Sequence, residues 1–209
     1  MDPAGGGAES AFLTAGDGVR LHYLRWRSRQ SPPSAVVVFL HGIASHAGWF
    51  AETAADLNRQ GVEVYGLDRR GSGRSGGPRG HLVAPMARLP IPLTPELYTA
   101  NPPYRDFIRA DPLRLLEATT RFFWETARLD RRRRAAAARL ELPVLLLQGE
   151  SDEMMDVPAT RRWFAGLAGE RDTYRGYPGA GHTLDFEPDR APYLNDLLGW
   201  LSATVRPVP

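Results

Sequence analysis

The sequence predicts an α/β fold, a mostly parallel central sheet covered by helices, with a helical cap insert. Three observations carry that expectation. The short continuous run Ala35–Leu40 has the β-branched composition of a strand buried on both faces, Val62–Leu67 returns to strand, and Val144–Gln148 reads as a further buried strand. After the first of them, Trp49, Phe50, Ala54 and Leu57 recur at helical spacing. The alternation is then interrupted once, by a glycine- and proline-rich stretch in which no strand–helix–strand unit can be written.

In chain order, residues 1–10 are rich in Gly and Ala and predict a disordered tail. Ala11–Thr14 and Val19–Trp26 flank the turn Ala15-Gly16-Asp17-Gly18, a hairpin signal. Pro32 and Pro33 break the chain before the first buried run, and a helix over His46–Arg59 stops at Gly61. Residues 71–80 form a glycine-rich loop. The segment 82–140 is a cap or lid, with Pro85, Pro90, Pro92, Pro95, Pro102 and Pro103 in its first part. Asp111 would cap a helix over Pro112–Leu129 with Pro112 at its first position, followed by a second helix over Asp130–Leu140. Val144–Gln148 and Asp172–Tyr177 then predict strands, and Ala159–Ala168 and Ala191–Val205 predict helices. The organisation expected is a tail (1–10), the first part of the main domain (11–81), the cap (82–140) and the second part (141–209).

A length of 209 residues, 43% hydrophobic and 24% charged, suits one domain able to bury a core. No stretch approaches the roughly 20 apolar residues of a membrane helix, and the first ten residues have no apolar signal region, so the expectation is a cytoplasmic chain with no transmembrane segment. Cysteine is absent, which excludes disulfides, thiolate metal sites and cysteine nucleophiles. All 26 basic residues are arginine, so Schiff-base and P-loop lysines are excluded too. The arginines are scattered among 24 acids, and the one run, Arg131–Arg134, reads as a solvated helix face rather than a nucleic-acid surface. His41 and His46 have poor metal-ligand spacing and no third ligand nearby. The sequence asks for neither metal nor cofactor.

Reactive groups in open α/β sheets gather where strands end. Leu40 is followed by His41-Gly42-Ile43-Ala44-Ser45-His46, and Leu67 by Asp68-Arg69-Arg70-Gly71-Ser72-Gly73-Arg74-Ser75-Gly76-Gly77. Gln148 is followed by Gly149-Glu150-Ser151-Asp152, and the last strand by Gly179-Ala180-Gly181-His182. An acid at one strand end and a histidine beyond the next is the chain order of the orienting acid and general base of a nucleophilic triad.

The strings HGIASHAGWF, LDRRGSGRSGGPRGH, IRADPLRLLEATTRFF, PVLLLQGESDEMMD and YPGAGHTL resemble the α/β-hydrolase family, in its monoacylglycerol lipase and lysophospholipase branch. The resemblance covers most of Leu13–Trp200 in the family's order. It implies a shortened α/β-hydrolase fold with Asp152 as triad acid, His182 as base and His41-Gly42-Ile43 as oxyanion loop, the N–H of Ile43 being half of the oxyanion hole. It further implies carboxyl-ester hydrolysis through an acyl-enzyme, on a single-chain acyl glycerol or lysolipid, with transient membrane-surface contact.

The departure from the family is equally specific. Between His81 and Leu82 the family places a helix, a strand, the GxSxG elbow, another helix and another strand, and none of these is present. The literal match Gly73-Arg74-Ser75-Gly76-Gly77 has no strand running into Ser75 and no helix leaving it. Its surrounding glycines predict a loop too mobile for an elbow, one that lines the site rim with Arg69, Arg70 and Arg74. Ser75 is therefore expected not to be acylated, and the nucleophile stays unassigned. Two outcomes remain open: an active ester hydrolase, or a shortened homologue that folds or binds without turnover. Loss of the central strands would leave two open edges, and direct pairing of Val36–Phe39 with Val144–Leu147 in a six-stranded sheet is the repair expected. The cap's Leu89, Ile91, Leu93, Leu97, Phe107, Phe122, Phe123 and Trp124 would either hold an acyl chain or pack the cap.

Overall fold

The computed structural model describes residues 7–80, 87–136, 140–167, 169 and 171–205. They fall into two compact units, the first drawn from residues up to 92 with 111–123 and the C-terminal end from 205, the second from 93–110 and 124–204.

In the first unit, β1 (Glu9–Thr14) and β2 (Arg20–Trp26) form the predicted hairpin, with Phe12 opposite His22 and Ser10 opposite Leu24. β3 (Ala35–Leu40) runs parallel to β4 (Val62–Leu67), Val37 opposite Val64, and the sheet order is β1-β2-β4-β3. The crossover between β3 and β4 is a 3-10 turn at Ala47–Phe50 leading into α1 (Ala51–Arg59). Its buried Ala51, Ala54 and Leu57 form one face, as the apolar spacing requires. Strand β2 alternates, so that His22, Leu24 and Trp26 are buried while the residues between them are less so. Glu9 and Ser10, assigned by the sequence to the tail, belong to β1; the rest of that tail, up to residue 6, lies outside the described residues.

The insert differs most from expectation. The chain from Pro112 to Leu116 is not helical, and Glu117–Thr119 forms a strand, β6, antiparallel to β5 (Arg88–Pro90). Asp111 caps no helix here: its Oδ1 accepts from the Leu113 N–H at 2.9 Å in a local turn, while its Oδ2 is held by His46 and Trp49. A single helix, α3 (Thr120–Ala136), replaces the two expected. An unpredicted helix, α2, spans Pro102–Ala110. Its two prolines sit in the first turn, where a missing N–H breaks no helical bond, so proline-richness was misleading there.

In the second unit, β7 (Leu145–Gly149) and β8 (Thr173–Tyr177) pair in parallel, Leu147 opposite Arg175. α4 (Val157–Ala165) is capped by Asp156, whose carboxylate accepts from the N–H of Ala159 at 2.8 Å, and α5 (Ala191–Thr204) closes the described fold. The expected six-stranded sheet is not formed. Among the described residues β3 pairs only with β4, and β7 and β8 make a two-stranded sheet of their own. No described strand substitutes for those missing beside β3, and Val36, Val38 and Leu40, which share one face of it, are 45%, 64% and 63% exposed. Among the described residues no helix is long and apolar enough to cross a membrane.

Candidate active site

Asp152 and His182 meet as the sequence predicts. The loops after β7 and β8 are tied together by Glu150 N–H to the Tyr177 carbonyl (3.0 Å) and Ser151 N–H to the Ala180 carbonyl (2.9 Å). Gly149 makes that approach feasible, because a Cβ there would strike the Gly181 carbonyl. His182 Nδ1 donates to Asp152 Oδ2 at 2.9 Å. The same carboxylate accepts from Gln148 Nε2 (3.1 Å) and from the N–H groups of Met154 (2.8 Å) and Met155 (3.1 Å). The Asp152 side chain is sealed while that of His182 is 33% exposed. The histidine loop is held by Gly181 N–H to Glu187 Oε1 (2.9 Å) and Thr183 N–H to the Tyr98 carbonyl (2.9 Å), with the Tyr98 ring edge-on to the imidazole. Because Nδ1 carries its proton to a carboxylate, Nε2 is the basic nitrogen.

His41, Gly42 and Ile43 belong to the first unit and leave β3 directly. His41 Nδ1 donates to the Gly42 carbonyl (2.7 Å), and its Nε2 accepts from the N–H of Arg69 (3.0 Å). Arg69 Nη2 reaches the same carbonyl at 2.7 Å. Burial pushes the His41 pKa down to about 4, so the ring is neutral and serves as a fixed strut between the ends of β3 and β4. Burial also lowers the pKa of Arg69. Of the three arginines expected to line a rim, Arg69 braces the loop and Arg70 pairs with exposed Asp17 at 2.8 Å, while Arg74 gives its backbone N–H to Asp68 at 2.9 Å and keeps its side chain exposed.

Ser75 is buried and fully engaged. Its hydroxyl donates to the Asp68 carbonyl (2.6 Å) and accepts from the N–H of His22 (2.8 Å). The loop is pinned rather than mobile, through Gly71 N–H to Gly76 O, Ser75 N–H to Ser72 O and Gly76 N–H to Arg20 O. Mobility was thus the wrong reason for discounting Ser75. Its hydroxyl is a bridge between β2 and the end of β4.

Two further His–carboxylate pairs escaped the sequence reading. His46 Nε2 lies 3.1 Å from Asp111 Oδ2, which also accepts from Trp49 Nε1 (2.7 Å). His22 Nδ1 donates to Asp68 Oδ2 at 2.8 Å, and His22 Nε2 lies 2.9 Å from the Ser10 hydroxyl. Burial alone would raise the Asp68 pKa, but hydrogen bonds from His22 and from the N–H groups of Arg74 and Ala47 outweigh it and hold the carboxyl below its usual range. Gly73, at φ +52°, has to lack a side chain because a Cβ would run into that carboxylate. A signal for this pair was available: His22 shares strand parity with Leu24 and Trp26, and a buried imidazole requires partners. Of the apolar residues in the insert, Phe107 packs edge-on against Phe186, while Leu89 and Trp124 are 44% and 57% exposed. Among the described residues no group of three or more His, Asp or Glu is placed to hold a metal ion.

Parallel strand pairs with helical crossovers, joined to an acid–histidine pair on the loops after β7 and β8, define an α/β-hydrolase. The sequence matches the family described as serine aminopeptidase, S33, over residues 31–87 and 82–189, and the chain belongs to that family. The two matched segments adjoin where the elbow-bearing elements are lacking. The chain is 45% identical over 75 residues to a monoacylglycerol lipase of Mycolicibacterium smegmatis, covering 36% of this chain and 26% of that protein. It is 24% identical over 111 residues to phospholipase YtpA of Bacillus subtilis, covering 53% and 43% respectively. It thus spans less than half the length of these curated relatives. Among solved structures, the fold resembles a Paleococcus ferrophilus monoacylglycerol lipase (TM-score 0.80, 20% identity, 88% of this chain and 99% of that one). It also resembles a soluble variant of Saccharomyces cerevisiae monoglyceride lipase (TM-score 0.82, 16% identity, 98% and 99%).

Proposed function

We propose that this chain hydrolyses carboxyl esters of the monoacylglycerol and lysophospholipid class, with His182 as general base and Asp152 as the acid that orients it. The observation that carries this reading is the 2.9 Å bond between His182 Nδ1 and a carboxylate held by three further donors. The chain offers no elbow serine, so the attacking oxygen we assign is a water that gives its proton to His182 Nε2. The water oxygen bonds to the acyl carbon, the ester C–O bond breaks, and the imidazolium returns the proton to the departing glycerol oxygen. Exposed Trp124 and Leu129 on α3, on a helix that also carries Arg128, Arg131 and Arg132, support brief contact with the lipid surface where such substrates reside, approached from the cytoplasm.

A second reading, a shortened homologue that folds without turnover, is favoured by β3, which among the described residues pairs on one side only. Hydrolysis of monoolein and lysophosphatidylcholine by the purified chain separates the two. His182→Ala is expected to lower turnover by about 10²–10⁴-fold, the usual contribution of a general base. His46→Ala is expected to lower thermal stability and leave turnover per folded molecule largely intact. Equal hydrolysis by wild type and His182→Ala establishes the second reading.

A further inference from the structure

Outside the Asp152–His182 site, Ser10, His22 and Asp68 form a complete hydroxyl–imidazole–carboxylate array. The distances are 2.9 Å from Ser10 Oγ to His22 Nε2 and 2.8 Å from His22 Nδ1 to Asp68 Oδ2. Since Nδ1 faces a carboxylate it carries the ring proton, which leaves Nε2 to accept the proton of Ser10. We propose that Ser10 is a nucleophile activated by His22 and Asp68, able to take an acyl group from small esters of acidic alcohols such as aryl esters.

Four features favour a reactive centre over a chance contact. First, the base cannot turn away. His22 and Asp68 are locked to each other through the backbone, Asp68 N–H donating to the His22 carbonyl at 2.9 Å. Ser75 clamps the other side by bridging the His22 N–H and the Asp68 carbonyl. Second, the acid is fixed by N–H groups from two other segments, Ala47 (2.8 Å) and Arg74 (2.9 Å), which keep it ionised. Third, the imidazole and carboxylate are shielded from solvent, at 3% and 2% side-chain exposure, whereas Ser10 is exposed on β1. The pair also borders a cavity of about 10 Å³, room for one water and not for an ester. Fourth, Phe12, two residues along β1 on the same face, packs edge-on to His22 at 5.3 Å between centroids, and the guanidinium of Arg20 covers it at 4.2 Å. An aryl group has an aromatic flank and a cation there.

In the step proposed, the Ser10 Oγ–acyl bond forms, the bond from the acyl carbon to the aryl oxygen breaks, and the serine proton passes to His22 Nε2 and on to the phenolate. Water then bonds to the acyl carbon, giving a proton to the same nitrogen; the acyl–Ser10 Oγ bond breaks, the imidazolium returns that proton to Oγ, and the carboxylic acid leaves. Esters with acidic leaving groups are the fitting class because a phenolate departs with little assistance.

A fluorophosphonate probe reads this directly, since the activated oxygen displaces fluoride and keeps the phosphonyl group. Peptide mapping by mass spectrometry of the intact chain is expected to place the adduct on Ser10, with none on Ser75 and none in Ser10→Ala. The native chain should label at Ser10 about 10²-fold faster than the same chain in urea, which is the low end of base assistance. His22→Gln, where circular dichroism shows it folded, should label at the slow rate. Absence of an adduct on Ser10, or equal rates for native and unfolded chain, overturns the proposal; should His22→Gln fail to fold, the native–urea ratio decides alone. The assigned water route at His182 forms no adduct, so failure here leaves lipid-ester turnover untouched and is distinguishable from failure there.

Discussion

The pairs His182–Asp152 and His22–Asp68 contain the same side chains at nearly the same separation, 2.9 and 2.8 Å, yet they do different things for the molecule. Asp152 takes its other bonds from Gln148, Met154 and Met155, all within four residues of itself. Asp68 binds Ala47 and Arg74 besides His22, and so joins a strand, the turn entering α1 and the loop after β4. One imidazole is a third exposed and the other 3% exposed. Pair geometry alone therefore does not tell which pair also ties the fold together. The reach of the carboxylate through the chain does.

The sharpest way to break this contrast is to change each carboxylate in turn. Asp152→Asn keeps the shape but no longer holds the Nδ1–H tautomer, and is expected to cut ester turnover by about 10²-fold or more while shifting stability little. Asp68→Ala leaves a buried imidazole and two backbone N–H groups without their acceptor, and is expected to cost about 3–5 kcal/mol of folding stability. Urea melts alongside monoolein assays check both. A large stability loss in Asp152→Asn would mean that both carboxylates hold the fold together and remove the contrast.

A third histidine sharpens the comparison because it has no carboxylate at all. His41 is buried and neutral, with its pKa pushed down to about 4, while an unfolded imidazole titrates near 6.5. A depressed histidine pKa means that the unfolded chain binds the proton more readily. Its contribution is thus fully present above about pH 6.5 and is lost as pH falls toward 4. The loss amounts to about 3 kcal/mol over that window. Asp68 and Asp111, both held below the usual carboxylate range, lose their contributions at lower pH still. Urea melts at pH 7.5, 5.5 and 4.5 should show stability dropping between the first and last, with a flatter profile in His41→Gln. An identical profile in the variant would assign the pH response elsewhere.

What was legible in the sequence follows the same division between local and distant determinants. Strands β2, β3, β4, β7 and β8 announced themselves through apolar runs and parity, and Asp152 and His182 through their places just beyond strand ends. The insert departs from its local pattern because prolines at 102 and 103 suit a helix start as well as a break, and because Asp111 closes a turn on the Leu113 N–H while also bonding His46 and Trp49 from far along the chain. The Ser10–His22–Asp68 array was hidden for a like reason. It depends on hairpin register and on a contact 46 residues apart, neither of which leaves a local motif. The expected six-stranded sheet is absent because strand composition does not say which strands pair: among the described residues β3 pairs with β4 alone and β7 with β8.

The side of β3 that no described strand pairs sets the smallest effect. Val38 on β3 and Val64 on β4 stand one residue apart in register in the same sheet, since Val37 lies opposite Val64, but Val38 is 64% exposed and Val64 is fully buried. Threonine matches valine in shape and strand propensity, so the substitution tests burial rather than packing volume. Val38→Thr should change stability by no more than about 0.5 kcal/mol, as at most surface positions. Val64→Thr should cost about 1–3 kcal/mol, because its hydroxyl enters an apolar interior without a partner. Val38→Thr should also reduce light scattering in concentrated solution, since an apolar face beside an unpaired edge invites association. If Val38→Thr proves as costly as Val64→Thr, the outer face of β3 is covered in solution, and the two valines no longer mark an open and a closed side of one sheet.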